Sequence, residues 1–271
     1  MLLQGFTNSR LVNFPTSLLV PAQEHSGFNM PNPYFQFKQF IINHDRCAMK
    51  VTTDSCLFGS WCAEEIKKDN NKEETKKILD IGTGSGLLSL MIAQKNDCFI
   101  DAIEVDDAAA QQAKQNIAAS AWKDKINVHQ INAISHSYQQ LYNAIISNPP
   151  FYENELESPD NKKNIAHHGE GLRLSQLMAL IKKQLLSDGS FYLLLPYKRK
   201  IEIEKIIAKE NLFIEKRILV SQSTGHTPFR LMIKGTSVPS VLKEKQIFIR
   251  DTQKQYSKEF IYYLKDYYLH L

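Results

Sequence analysis

The run Lys77-Ile78-Leu79-Asp80-Ile81 passes straight into Gly82-Thr83-Gly84-Ser85-Gly86, and then into an apolar stretch over residues 87–93. That order predicts a strand, a glycine loop and a helix, the context that a nucleotide-binding loop needs. Glycines let the backbone come close to a ligand, and the start of the following helix offers free N–H groups. The spacing is GxGxG rather than GxGxxG, because the place of a third dinucleotide-type glycine holds Leu87. This counts against NAD. Asp80, just ahead of the loop, would repel a pyrophosphate and suits a cationic or amine-bearing ligand.

The segments that follow repeat the alternation. Residues 99–103 read as a strand ending in Glu104, 20 positions after Gly84, close to where such folds place an acid on ribose hydroxyls. Asp106 or Asp107 caps a helix over 108–119. Residues 126–131 form a third strand ending near Asn132, and 142–147 a fourth. A helix over 172–186, a turn at Asp188-Gly189, a strand over 191–195 and a helix over 201–208 continue the pattern. Residues 212–220 and 229–234 are expected to pair antiparallel, and 257–271 to form an aromatic-rich helix docked on the body. The result is an α/β chain with a mostly parallel sheet and crossover helices. Upstream, residues 35–42 alternate like a half-buried strand. A helix over 52–66 carries Leu57, Phe58, Trp61 and Cys62 on one stripe, with Asp54 as its expected N-cap. The polar linker 67–76 is expected on the surface.

The fourth strand delivers Asn148-Pro149-Pro150-Phe151. The C-terminal edge of an open α/β sheet is where ligands bind. Asn148 and the carbonyl of Pro149 can both accept hydrogen bonds from an NH₂ on a planar group, and Phe151 can stack on it. The two prolines fix φ and so hold the carbonyl in place.

A length of 271 residues, 43% of them hydrophobic, suits one large domain. Pro15, Pro21 and Gly27 break every apolar run near the start. Residues 1–33 are therefore expected to be a loosely ordered arm and 34–271 the folded domain, with Met30 the expected start of translation. No apolar run is long enough to span a bilayer, and no secretory signal is evident. Cys47, Cys56, Cys62 and Cys98 show no zinc or disulfide spacing and read as reduced thiols of a cytoplasmic protein. The charge is lopsided. Residues 1–150 carry 13 Lys/Arg against 15 Asp/Glu, while 151–271 carry 20 against 14. A basic second half points to an anionic partner or to a lysine-rich solvated surface.

Asp80 to Gly86, the acid at Glu104 and the Asn148-to-Phe151 motif together resemble class I S-adenosylmethionine-dependent methyltransferases acting on an exocyclic amino or amide nitrogen. The stretch His44-Asp45-Arg46-Cys47-Ala48-Met49-Lys50-Val51-Thr52-Thr53-Asp54 is similar to the segment ahead of the first motif in the tRNA adenine N6-methyltransferases that modify adenosine 37 of a valine tRNA. Asp251-Thr252-Gln253-Lys254-Gln255-Tyr256-Ser257, before an aromatic-rich end, fits the same family. The resemblance covers residues 34–271. It implies a Rossmann-like seven-stranded sheet with helices on both faces and an antiparallel last strand. It implies S-adenosylmethionine as cofactor, held by Asp80, Gly82, Gly84, Gly86, Glu104, Asn132 and Asp54. Asn148, Pro149 and Phe151 then hold the target base. The implied partner is the anticodon stem-loop of a tRNA, with no metal and no membrane, and a monomer is expected.

Two positions depart from the family. Asn132 stands where an acid beside the cofactor's adenine is common, and Ala166-His167-His168-Gly169 replaces an Ala-Arg-His-Glu-like run. Other readings stay open: a methyltransferase for a glutamine amide in a protein, one for adenine in ribosomal RNA or DNA, and an RNA-binding protein on a methyltransferase scaffold. A dinucleotide-dependent oxidoreductase is disfavoured by the glycine spacing.

Overall fold

Strands with unbroken apolar runs must be covered on both faces, and the centre of this chain is built that way. The computed structural model describes residues 32–69, 75–149 and 172–271. In chain order, a hairpin of β1 (Tyr34–Gln36) and β2 (Ile41–Asn43) precedes α1 (Thr53–Lys68). Then come β3 (Lys76–Ile81), α2 (Leu87–Lys95), β4 (Cys98–Glu104), α3 (Asp107–Ala118), β5 (Ile126–Gln130) and β6 (Tyr142–Ser147). The second half holds α4 (Leu174–Gln184), β7 (Leu185–Pro196), α5 (Lys200–Lys209), β8 (Phe213–Ser223), β9 (Arg230–Thr236), β10 (Lys243–Arg250) and α6 (Lys258–Leu264).

Strands β3 to β10 form one sheet in the order β10-β8-β9-β7-β6-β3-β4-β5. Only β9 runs antiparallel to its neighbours. Side chains alternate across the sheet, so two cores form. Ile78, Ile146 and Met232 face α1, α2, α3 and α6, whereas Leu79, Ile145 and Leu231 face α4 and α5. Trp61, Phe58 and Leu57 of α1 are fully buried in the first core, and Met178, Leu177 and Ile181 of α4 in the second.

The expected seven-stranded sheet ending in an antiparallel strand is present from β3 through β9. The structure adds an eighth strand, β10, parallel to β8 at the sheet edge. Its buried positions are Ile247 and Ile249, too few to announce a strand by pattern.

Four local expectations are corrected. Residues 35–42 form a hairpin rather than one strand, because Phe37 and Phe40 are both buried and stack at 4.6 Å, which period-two alternation forbids. The N-cap of α1 is Thr52, in a capping box with Ser55, and not Asp54. Asp188 and Gly189 lie inside β7, where the register to β6 shifts between Tyr142 and Ala144. The last helix stops at Leu264, capped at its start by Ser257. Tyr267 and Tyr268 then turn back on the hairpin, where Lys38 N–H donates to the Tyr267 carbonyl at 2.8 Å. That aromatic end is docked on the body, as expected: Phe260, Leu264 and Tyr267 are fully buried.

Part of the basic excess of the second half is used inside the fold. Lys216 pairs with Glu65, Arg217 with Glu204 and Glu244, and buried Lys234 with Asp69 and Glu215. These pairs pin the far end of α1 and the last strands to the sheet.

Candidate functional site

The chain leaves β3 for β4 on one side and reaches β6 on the other. The order therefore reverses between β3 and β6, and a crevice opens at their C-terminal ends, the usual ligand site of such sheets. The glycine loop follows β3 and Asn148 follows β6. Ser147 Oγ donates to the Ile81 carbonyl at 2.7 Å and ties the two strand ends together. The cleft between them is lined by Gly82, Thr83, Gly84, Ser85 and Asn148 together with Met49, Lys50, Val51 and Ser55.

The loop is braced from behind. Gly82 and Thr83 N–H groups donate to the Ile103 carbonyl of β4 at 2.8 and 3.0 Å. Gly82 (φ +73°) and Gly84 (φ +56°) take left-handed backbone, and a Cβ at either would stand in open space. Such open space lets a ligand approach the backbone closely. Gly86 acts differently. It is the N-cap of α2, also left-handed at φ +84°, and a Cβ there would meet Ile117 and Ala113 of α3 at ordinary contact distance instead of open space.

Asp80 is fully buried. Thr83 Oγ1 and Ser89 Oγ both donate to its Oδ2 at 2.7 Å. Its Oδ1 has no hydrogen-bond partner among the described residues. Burial pushes its pKa from 3.8 up to about 6, against the two hydroxyls that favour the charged form and with the repulsion of Glu104 adding to burial. A buried acceptor without a partner, beside a backbone cradle, fits a ligand that brings a donor or a positive charge.

Glu104, at the end of β4, accepts from Gly84 N–H at 2.9 Å through Oε2. Its Oε1 accepts from Val105 and Asp106 N–H at 2.9 and 3.1 Å. An ionised carboxylate has about four acceptor positions, so one remains for a hydroxyl. Cys47 lies near Glu104 and Asp106, and its thiol is pushed up to about 11, by burial first and by these acids next.

Asn148 lines the cleft half-buried and Pro149 is buried behind it. Phe151, Pro150, His167 and His168 lie outside the described residues, as do residues 1–31. Of the expected site residues, Gly82, Gly84 and Asn148 line the cleft, whereas Asp80, Gly86, Glu104, Pro149, Asn132 and Asp54 do not. Asn132 is exposed, and its Oδ1 accepts from Ile134 N–H at 2.9 Å. Asp54 sits in the first turn of α1, next to Ser55, and its Oδ2 accepts from Arg230 Nε at 2.7 Å.

Several residues of the site escaped the sequence reading. Thr83 and Ser89 hold Asp80, Ser147 fixes the strand that carries Asn148, and Arg230 meets Asp54. Thr83 and Ser89 follow Asp80 by three and nine residues, so a search for hydroxyls near the loop would have found them. Arg230 is 176 residues from Asp54 and gives no local signal. Among the described residues, no group of three or more His, Cys, Asp or Glu side chains is placed to hold a metal ion, and no helix is long and apolar enough to cross a membrane.

Residues 63–210 match the family described as methyltransferase small domain. The tRNA1(Val) (adenine(37)-N6)-methyltransferase of Bacteroides thetaiotaomicron is 35% identical over 244 residues, covering 89% of this chain and 100% of that protein. Its counterpart in Parabacteroides distasonis is 37% identical over 243 residues, covering 89% and 99%. Among solved structures, a predicted O-methyltransferase from Agrobacterium tumefaciens superposes with a TM-score of 0.58 at 13% identity, covering 78% of this chain and 95% of that one. The magnesium protoporphyrin IX methyltransferase of Synechocystis, solved with bound S-adenosylmethionine, gives 0.50 at 14% identity, covering 68% and 80%. The two structures share the fold.

Proposed function

This chain belongs to the tRNA1(Val) (adenine(37)-N6)-methyltransferase family, and on that premise we propose that it methylates N6 of adenosine 37 in the anticodon loop of a valine tRNA. It is an enzyme, and its methyl donor is S-adenosylmethionine. The observation that carries the site reading is the cleft in which Asn148 faces the glycine loop.

S-adenosylmethionine supplies an electrophilic methyl group on a sulfonium sulfur. Asp80, Gly82, Gly84 and Gly86 would hold its methionine end. Oδ1 of Asp80 is a buried acceptor with a cation to gain, and the space above Gly82 and Gly84 is free of side chains. Glu104 would take a ribose hydroxyl at its remaining acceptor position. Asn132 would donate to the adenine through its amide nitrogen, which takes no hydrogen-bond partner among the described residues.

The amino nitrogen of adenine is a poor nucleophile because its lone pair is delocalised into the ring. Asn148 Oδ1 and the Pro149 carbonyl would each accept one of its N–H bonds. Two acceptors in that arrangement draw the nitrogen toward sp³ geometry and localise the lone pair on the donor side. Asn148 is neutral, so it orients the amine without removing a proton. Phe151 would stack on the base, which an anticodon loop can splay out. Positioning and preorganised acceptors thus account for the rate. The reading places the protein in the cytoplasm with tRNA as its partner.

The test is methyl transfer from labelled S-adenosylmethionine to bulk tRNA lacking its modifications, followed by nucleoside analysis. The expected result is N6-methyladenosine confined to a valine tRNA. Silence on tRNA, with label on ribosomal RNA or on a release factor, would overturn the substrate.

A further inference from the structure

We infer that Arg230 is the fork that receives a backbone phosphate of the target strand, aimed by Asp54; this rests on the RNA-methylation reading above. Arg230 opens β9, where it pairs with Pro196 of β7 and Val220 of β8. Ser147 of β6 pairs with Leu193. Arg230 therefore stands two strands from β6 and two rows beyond Asn148. At about 4.8 Å per strand and 3.3 Å per residue, that is about 12 Å, a span that one nucleotide bridges from base edge to phosphate.

Both residues are on the same side of the sheet. Met232 and Ile146 belong to the core under α1, and Leu231 and Ile145 to the opposite one. Period-two alternation then puts Arg230 and Asn148 on the α1 face.

The guanidinium is preorganised. Nε donates to Asp54 at 2.7 Å, and the group lies over the Phe229 ring with its centre 5.6 Å from the centroid. The Asp54 side chain is 12% exposed and that of Arg230 35%. Of five donors on the guanidinium, one is engaged, and the two Nη groups take no hydrogen-bond partner among the described residues. One edge anchored and the other open is the geometry for bidentate phosphate capture. Asp54 joins this fork to the cofactor cleft, because the next residue, Ser55, lines it. Arg230 is thus a binding residue for the RNA, and Asp54 is a positioning residue.

The experiment compares wild type, Arg230→Ala, Arg230→Lys and Asp54→Asn. It measures the S-adenosylmethionine Kd, the melting temperature, and kcat and KM for unmodified valine tRNA over a series of salt concentrations. For Arg230→Ala, KM for tRNA should rise about tenfold with kcat within threefold and the S-adenosylmethionine Kd unchanged. The slope of log kcat/KM against log salt should shrink by about 0.7, one single-stranded phosphate contact. Arg230→Lys should keep the slope and recover only part of the affinity, since a point charge remains without the fork. Asp54→Asn should raise KM and spare the slope. An unchanged slope and KM in Arg230→Ala, with wild type active on tRNA, would overturn the inference alone. So would a combined loss of melting temperature and kcat at constant slope, which marks a structural latch. A weakened S-adenosylmethionine Kd would overturn it too, by assigning the fork to the cofactor's carboxylate. Wild type inactive on tRNA would instead remove the reading on which the inference rests.

Discussion

The hydroxyl of Ser147 donates to the carbonyl of Ile81 at 2.7 Å, and both residues are buried. The next residues are Asn148 and Gly82. This hydrogen bond braces the paired ends of β3 and β6, which carry the glycine loop and the residue proposed to grip the base. Ser147→Ala should cost about 1 kcal/mol of stability. Single-turnover rates on tRNA should fall about tenfold through misplacement, with S-adenosylmethionine affinity little changed. Parallel loss of affinity and rate would show that the bond holds the whole cleft together.

Asn148→Ala removes one of the two acceptors proposed for the amine and leaves the glycine loop intact. Methyl transfer should fall by at least about a hundredfold, while calorimetric binding of S-adenosylmethionine stays within threefold of wild type. Wild-type turnover in this variant would refute the proposed chemistry.

Asp80 gives a pH signature. With its pKa raised from 3.8 to about 6, the folded chain holds a proton that the unfolded chain has released between those values. Stability of the ligand-free protein therefore falls as pH rises through that window, by about 3 kcal/mol in all. A cationic ligand prefers the charged form, so S-adenosylmethionine affinity should weaken as pH drops below about 6. Asp80→Asn should flatten both profiles and raise the ligand-free melting temperature at pH 7. Retention of the wild-type pH dependence of binding in that variant would rule Asp80 out as the group responsible.

Gly84 has φ +56° with open space where a Cβ would stand. Gly84→Ala should cost about 1–2 kcal/mol from left-handed backbone, a loss of several degrees in Tm. The added methyl also enters the cradle, so S-adenosylmethionine Kd should rise about tenfold or more. Calorimetry showing unchanged affinity would place the cofactor elsewhere.

The four thiols should be sluggish. Burial pushes Cys47 up to about 11, Cys56 and Cys98 to about 12, and Cys62 well above its usual value. Native protein at pH 7.5 should react slowly with iodoacetamide, with partly accessible Cys47 first. Mass spectrometry of a timed series checks the order.

Local pattern carried most of the architecture. The strand-loop-helix unit at Asp80 to Gly86, the cap at Asp106 and the bounds of β6 follow from residues within a few positions of one another. Pattern failed where burial came from distant contacts. Phe37 is inside because Tyr268, far along the chain, bridges to it, and Phe40 meets Trp122 edge-on. β10 is a strand because β8 offered it an edge, not because its own residues alternate strongly.

The site divides along the same line. The order of the glycine loop, Glu104 and Asn148-Pro149 is legible along the chain, because each is a short motif within a few residues. Their surroundings come from the folded sheet. It left Oδ1 of Asp80 buried without a partner among the described residues, brought the Met49-to-Val51 segment into one cleft with the glycine loop, and paired Asp54 with Arg230. Those are relations between segments that meet only when the sheet closes, and no spacing along the chain encodes them.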